Sequence, residues 1–251
     1  MAKLKILGTS SAVPHEDHLN THFILEGENN TVLIDCIGNQ TIRLERAGIV
    51  LDDLSDIILT HCHPDHISGV PSLLMSLWLM GRSAALNIYG LHHTLNCVDQ
   101  MMNSYEWGKW PDFFPVSFNK LPDKEMGLVL ENNEFRVFSS PVCHLVPTLG
   151  LRIESLQTGK VIAYSCDTEP CAQVERLAKD ADILMHEATG ESDGHSSAAQ
   201  AGTIAENAGA KSLYFIHYHP HLYGSQEMII DARKNFSGEV NFGRDFLEFE
   251  L

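Results

Sequence analysis

Short apolar runs alternate with segments of helical spacing along most of the chain. In the first half, the apolar runs predict strands at 3–8, 21–25, 31–36, 57–60 and 86–89, and helical spacing predicts helices at 38–47, 70–80 and 92–104. In the second half, the same patterns predict strands at 135–138, 148–154, 160–165, 182–185, 212–216 and 246–250. They also predict helices at 169–179 and 227–235, and a helix that follows His195-Ser196-Ser197 and ends at Ala208. Alternating strands and helices in both halves indicate an α/β protein.

The segment after the strand at 57–60 holds the densest group of polar side chains. Three histidines and one aspartate lie within six residues, at His61, His63, Asp65 and His66. Imidazole nitrogen and carboxylate oxygen suit zinc, iron or manganese. His61 and His63 can reach one ion, whereas Asp65 and His66 point elsewhere and can reach a second. The pattern therefore predicts a site for two metal ions on a strand-to-helix turn.

Further candidate ligands follow other predicted strands. His144, Asp167 and His217 each come just after a strand, where open α/β sheets place their sites. A lone histidine at such a position is more often structural, but a complementary set indicates a shared site. Asp35 also ends an apolar run; it is either a hydrogen-bond partner of a metal ligand or an ordinary turn residue.

Length and composition predict one large domain over residues 1–251, or a tightly joined pair of similar halves. The chain has 251 residues and 44% hydrophobic content, which is enough for a sizeable core. No run of about 18 apolar residues occurs, so no membrane span is expected. The six cysteines are scattered without a CxxC pair, which favours a reducing cytoplasm.

The charge disfavours large nucleic acids as partners. The net charge is −16, and the 17 Lys and Arg residues are dispersed. Non-specific nucleic-acid binding depends on clustered cations, so binding of a large RNA is not expected. A small anionic substrate stays compatible, because bound metal ions would make the site locally positive.

An aromatic segment at 105–114 has no regular helical pattern. Tyr105, Trp107, Trp110 and two phenylalanines lie within ten residues that also contain glycine and proline. Three interpretations stay open: a wall over the site, a subunit contact, or a loop folded onto the core.

The order His61-x-His63-x-Asp65-His66, then His144, Asp167 and His217, resembles the metallo-β-lactamase-fold hydrolases. Within that superfamily, four further pieces resemble the ribonuclease Z branch, at 8–14, at 33–36, at 164–168, and at 186–189 with 195–197. The resemblance extends from about residue 4 to about residue 220.

The resemblance implies a four-layer αββα sandwich with two divalent metal ions at one edge. It assigns His61, His63 and His144 to one ion, and Asp65, His66 and His217 to the other, with Asp167 as the bridge. Zinc is the first expectation, and manganese or iron are alternatives. Dimers are common in the resembling branch, so a homodimer is compatible with it.

The resemblance also implies a mechanism. A metal-bridging hydroxide would attack phosphorus, with His195 as candidate general acid, Glu187 as the carboxylate that orients it, and Asp65 helping to position the nucleophile. Cys62, Cys143 and Cys166 neighbour the ligands in sequence. We expect them to be small buried residues turned away from the metals.

The missing arm and the acidic surface both weaken the expectation of transfer-RNA processing, although the chain resembles the ribonuclease Z branch. That branch carries an inserted arm that grips transfer RNA, commonly between the residues matching His144 and Asp167, which are only 23 positions apart here. Cys166 stands where the branch usually has glycine. We therefore predict a phosphodiesterase of small or nucleotide-like esters. The alternatives are transfer-RNA 3′ processing, hydrolysis of a lactone, thiolester or sulfate ester, and a non-catalytic metal-binding module.

Overall fold

Fourteen strands form two seven-stranded sheets in the computed structural model, which describes residues 2–28 and 30–251. The first sheet contains β1 (Lys3–Gly8), β2 (His22–Glu26), β3 (Thr31–Ile34), β4 (Leu54–Ile58), β5 (Leu86–Gly90), β6 (Val116–Lys120) and β14 (Glu248–Glu250), in the order β14-β1-β2-β3-β4-β5-β6. The second contains β7 (Gly127–Glu131), β8 (Phe135–Val142), β9 (Thr148–Ser155), β10 (Val161–Tyr164), β11 (Ile183–Glu187), β12 (Ser212–Ile216) and β13 (Glu239–Phe242), in the order β13-β12-β11-β10-β9-β8-β7.

Helices cover the outer face of each sheet. The helices are α1 (Gln40–Arg46), α2 (Pro64–Ile67), α3 (Val70–Leu79), α4 (His92–Ser104), α5 (Ala172–Leu177), α6 (Ala198–Ala208) and α7 (Gln226–Arg233). Apolar side chains of α1, α3 and α4 pack with the first sheet, and those of α5, α6 and α7 pack with the second. A third apolar core lies between the two sheets. This arrangement confirms the αββα sandwich.

Strand β2 shows why both faces of a sheet are apolar here. Its side chains alternate between two cores: Phe23 and Leu25 pack between the sheets, whereas Ile24 packs under the helices. Successive side chains of a strand point to opposite faces, so a strand between two apolar layers becomes a continuous apolar run.

Strand direction brings the polar strand ends to one edge. Strands β3 to β6 are mutually parallel, as are β10 to β13. Strand β8 runs in the same direction as β10, because both pair antiparallel with β9. The residues after β3, β4, β8, β10 and β12 therefore come from like-directed strands within each sheet.

Three strands were not predicted, namely β6, β7 and β13, and all three lie at a sheet edge. Strands β6 and β13 mix polar and apolar side chains, and the apolar run of β7 is only three residues long, at 128–130, so the sequence pattern did not identify them. The predicted strand at 135–138 extends to Val142 through Pro141, and the short helix α2 was also missed.

The aromatic segment folds onto the helix-covered core of the first sheet. Trp107, Trp110 and Phe113 pack against that core, and the Trp110 ring stacks on Trp78 with centroids 5.0 Å apart. The folded-in loop is the interpretation that this packing supports. No helix in the described part of the chain is long and apolar enough to cross a lipid bilayer.

Candidate metal centre

Asp35 anchors the histidine-rich turn. Its buried carboxylate follows β3 and accepts hydrogen bonds from the Thr60 backbone N–H at 2.8 Å and from the Thr60 hydroxyl. It also accepts one from Nδ1 of His66, at 2.7 Å. The hydrogen bond fixes Nε2 of His66 as the nitrogen free to bind a metal. Of the two interpretations of Asp35, the partner of a candidate ligand is the one observed.

The first group of converging side chains comprises His61, His63, His144 and Asp167, whose ligand-type atoms all lie within 4.8 Å of one another. Nδ1 of His63 is 3.1 Å from Nε2 of His61 and 3.2 Å from Nε2 of His144. Ligand atoms about 2.0–2.2 Å from one tetrahedral zinc ion are about 3.3–3.6 Å apart. The separations therefore fit a single shared ion.

The second group comprises Asp65, His66, Asp167 and His217. Oδ2 of Asp65 is 3.3 Å from Nε2 of His217 and 3.5 Å from Nε2 of His66. Asp65 and His66 follow β4 of the first sheet, whereas Asp167 follows β10 and His217 follows β12 of the second sheet. Both sheets therefore contribute to this group. Its ligand atoms also have the spacing of one metal site.

Asp167 is common to both groups. Its Oδ2 lies 3.4 Å from His217 Nε2, 3.6 Å from His66 Nε2, and 3.8 Å from His61 Nε2. Within the described residues, its buried Oδ1 and the buried Nε2 of His66 have no hydrogen-bond partner. Buried polar atoms without partners are unfavourable unless something binds them. The donor set therefore fits two cations that share Asp167.

The protonation of this cluster is strongly perturbed. Burial holds the pKa of His61 well below its usual value. Burial also opposes a charge on His66, but Asp167 and Asp35 outweigh it and raise the pKa of that imidazole well above its usual value. Burial would raise the pKa of Asp167, yet His217 and His66 lower it well below the usual range. The low pKa values of His61 and Asp167 favour the forms that bind metal, whereas the raised pKa of His66 favours a proton that would compete with a metal ion.

Glu187 and His195 form a pair beside the two groups. Glu187 is fully buried at the end of β11, and its carboxylate accepts hydrogen bonds from His195 Nδ1 at 3.2 Å and from the Ser196 N–H at 2.7 Å. The hydrogen bond to Glu187 is the main cause that raises the pKa of His195. The His195 ring lies between His144 and His217, with centroids 5.0 and 6.0 Å away.

Several outer hydrogen bonds were not predicted. The Gly194 carbonyl accepts a hydrogen bond from Nδ1 of His144 at 2.7 Å, and Nδ1 of His217 lies 3.1 Å from the Thr189 hydroxyl. A backbone carbonyl leaves no trace in a sequence. Thr189 belongs to a motif at 186–189 that is visible in the sequence, but its contact with His217 is not.

Three residues at the centre have left-handed backbones although none is glycine. These are Asp35 with φ 61°, Cys166 with φ 54° and His217 with φ 50°. Such conformations are costly for side chains with a Cβ and concentrate at functional sites. Glycine would adopt the backbone conformation of Cys166 at lower cost.

None of the three neighbouring cysteines fully meets the expectation of a buried residue turned away from the metals. Cys166 is buried but faces the centre, with its Sγ 3.6 Å from Nδ1 of His61. Its left-handed backbone interrupts the strand-like alternation that would have turned it away. Cys143 is exposed rather than buried, and Cys62 is half-buried.

Comparisons with known proteins agree with this fold. A family model described as "Anti-Pycsar protein Apyc1" matches residues 2–238. A ribonuclease Z from Methanothermobacter thermautotrophicus is 27% identical, in an alignment that covers 100% of this chain and 97% of the relative.

Solved structures place the chain in the same fold. The metallo-β-lactamase fold protein YhfI from Bacillus subtilis superposes with a TM-score of 0.78 at 23% identity, covering 100% of both chains. A diphosphatase of the PhnP family superposes with a TM-score of 0.77 at 21% identity, covering 100% of this chain and 98% of the other. The resemblance to metallo-β-lactamase-fold hydrolases of the ribonuclease Z branch is thereby confirmed. Because the family model covers nearly the whole chain, the chain belongs to the family described as Anti-Pycsar protein Apyc1.

Proposed function

We propose that this protein is a dinuclear metal-dependent phosphodiesterase that acts on small, nucleotide-like esters. The observation that carries the proposal is the position of Asp167, whose Oδ2 faces the nitrogens of both ligand groups at 3.4–3.9 Å. Paired metal sites of phosphate-transferring enzymes hold their ions about 3.5–4 Å apart. Two dications at that distance repel each other, and a shared carboxylate offsets the repulsion.

We assign the ligands by the two groups. His61, His63 and His144 would hold one ion, Asp65, His66 and His217 the other, and Asp167 would bridge them. Zinc is the first candidate, because four donors at tetrahedral spacing suit it. The same nitrogen and oxygen donors also accept manganese and iron.

When bound, the two dications would lower the pKa of water toward about 7 and would stabilise charge on the phosphate oxygens. We assign the side chains around them as follows. Asp65 accepts a hydrogen bond from the attacking water and aligns it with phosphorus. Glu187 holds Nδ1 of His195, so Nε2 of His195 donates a proton to the leaving alkoxide.

Three observations support a small substrate. Strands β9 and β10 occupy most of the interval between His144 and Asp167, which leaves no room there for a transfer-RNA-binding arm. The alignment with the archaeal ribonuclease Z spans 309 positions against 251 residues here, so that relative carries segments that this chain lacks. The net charge of −16 also disfavours a long RNA.

Two further assignments belong to this proposal. The six cysteines are all free, which supports a reducing cytoplasm as the compartment. A homodimer and a single domain over the whole chain stay predictions.

The test compares two diesters in metal-reconstituted protein. Bis-p-nitrophenyl phosphate has a leaving group that departs without a proton, whereas a diester with an alkyl leaving group needs one. We expect metal-dependent turnover of both. In His195→Ala, we expect the alkyl diester to lose about 10²–10⁴-fold in kcat and the nitrophenyl diester to lose less. His92→Ala, an exposed histidine of α4, is the matched control.

Each alternative predicts a different result. Faster cleavage of a precursor transfer RNA than of either diester would favour 3′ processing. Turnover of a lactone, thiolester or sulfate ester alone would favour another hydrolase. Protein that holds two metals and hydrolyses none of these substrates would favour a non-catalytic module. An equal loss for both diesters in His195→Ala would contradict the acid role of His195.

A further inference from the structure

A second cluster of metal-ligand side chains lies outside the centre described above. It consists of Cys62, His93 and Cys97, whose ligand atoms all lie within 4.8 Å of one another. None of the three belongs to the two histidine–aspartate groups. We call these three residues the thiol cluster.

Local structure explains why the three side chains meet. His93 and Cys97 are four residues apart on α4, so they lie on the same face of the helix. Cys62 lies in the turn before α2, between His61 and His63. The imidazoles of its two neighbours face the centre, whereas Cys62 packs toward the helix-covered core of the first sheet.

The two thiols border a cavity of 360 Å³ that Ser68, Gln100 and Met101 also line. Both are half-buried, whereas His93 is exposed on the outer side of the cluster. The cluster is thus reachable from solvent. A purely structural pair of cysteines would more often be fully buried.

We propose that the thiol cluster is a third metal site, specific for a soft d¹⁰ dication such as Zn²⁺. Two thiolates and one imidazole are the donors that such an ion prefers over carboxylate sites. Sulfur atoms bound to one tetrahedral zinc ion at about 2.3 Å are about 3.8 Å apart, which the observed limit of 4.8 Å accommodates. A water molecule completes the fourth position, as three-ligand zinc sites permit.

A metal ion in the thiol cluster would link the histidine-rich turn to helix α4. A cation held by Cys62 and by the α4 side chains fixes the turn that carries His61 and His63 to the helix beside it. The ion therefore restrains the backbone of the dinuclear centre without taking part in its chemistry. This role is independent of the substrate that the centre hydrolyses.

The probe is Cd²⁺ alone, because cadmium–thiolate bonds absorb in the ultraviolet whereas carboxylate and imidazole ligands do not give that band. Fully reduced, metal-stripped full-length protein is titrated, and bound metal is counted by elemental analysis. We expect a thiolate band with wild-type protein and three ions per chain. Cys97→Ser should lose most of the band and one ion, whereas Cys143→Ser, which removes an exposed cysteine elsewhere, should keep both.

A second variant keeps the test informative if Cys97→Ser misfolds. His93→Ala changes an exposed side chain, so its fold should be intact, and we expect at least tenfold weaker Cd²⁺ binding at the thiol cluster. A band and a stoichiometry that are unchanged in Cys97→Ser would overturn the proposal. So would reduced wild-type protein without any thiolate band, or thiols that only form a Cys62–Cys97 disulfide in air and bind no metal after reduction.

Discussion

At the scale of single residues, the hydrogen bonds behind the candidate ligands should decide how well the proposed centre binds metal. Asp35 illustrates this, because its carboxylate joins Thr60 to Nδ1 of His66. Carboxylates that orient metal-binding histidines also make the imidazole a stronger ligand. The strength of the centre therefore depends on a residue that touches no metal itself.

The change Asp35→Asn should weaken metal binding by about 10–100-fold, because the amide cannot match the charge that supports His66. Competition with a coloured chelator measures this affinity. Asp56→Asn is the control, since Asp56 is also a buried aspartate but contacts Ser55 and Asn87 instead. Equal metal affinity in the two variants would show that Asp35 does not strengthen metal binding.

The pH dependence of metal binding follows from His66. Because Asp167 and Asp35 raise its pKa, metal-free protein keeps a proton on this ring at neutral pH, and a metal ion must displace it. Apparent affinity should therefore rise about tenfold per pH unit below the raised pKa and level off above it. Chelator competition between about pH 6 and pH 9 checks this. A flat profile across that range would show that His66 carries no proton to displace.

Substitutions at Cys166 test whether its left-handed backbone conformation lowers the stability of the fold. Alanine there keeps the unfavourable φ of 54°, whereas glycine removes it, so Cys166→Gly should be about 1–2 kcal/mol more stable than Cys166→Ala. Denaturant unfolding of the two metal-free variants gives the difference. Cys36 is a buried cysteine outside the left-handed region, so Cys36→Gly should be less stable than Cys36→Ala. If glycine is the less stable residue at both positions, the conformation carries no strain.

At the scale of elements, close backbone packing limits what a helix can accept. A Cβ on Gly202 of α6 would lie well inside van der Waals contact with the backbone carbonyl oxygen of Ala232 on α7. Helix α6 begins directly after the His195–Ser197 segment, with Ser197 as its cap. The close crossing of α6 and α7 therefore supports the segment that carries the proposed acid.

The change Gly202→Ala should lower the free energy of unfolding by roughly 1–3 kcal/mol, because the two helices must move apart. This reverses the usual gain of about 0.5–1 kcal/mol for alanine inside a helix. Thermal or denaturant unfolding measures it. Thr203→Ala, at an exposed position of the same helix, should change stability by less than about 0.5 kcal/mol. A stabilised Gly202→Ala would mean that the crossing is looser than the structure shows.

The sequence predicts some of these elements better than others. Helix α4 and strands β1 and β12 were placed with correct ends, because their apolar positions recur at regular helical or strand spacing. The edge strands β6, β7 and β13 have no such pattern, since one side of each has no partner strand. The convergence of the ligands could be anticipated, whereas the backbone conformation of Cys166 and the carbonyl contact of Gly194 depend on the folded chain.

At the scale of the whole molecule, the centre joins the two halves of the sandwich. The turn after β4 of the first sheet supplies His61, His63, Asp65 and His66, and the second sheet supplies His144, Asp167 and His217. Any cation bound there is held by segments more than 80 residues apart, as the contact between His63 and His144 shows. Metal binding should therefore raise the free energy of unfolding, in addition to its proposed role in catalysis.

The most direct measurement is the turnover of bis-p-nitrophenyl phosphate while metal is added back to stripped protein. The titration uses the Cys97→Ser variant, so that only the histidine–aspartate centre fills. We expect no turnover without metal, and a rate that reaches its plateau at two equivalents of zinc, manganese or iron. Full turnover in metal-free protein, a plateau at one equivalent, or no turnover with two bound ions would contradict a dinuclear phosphodiesterase.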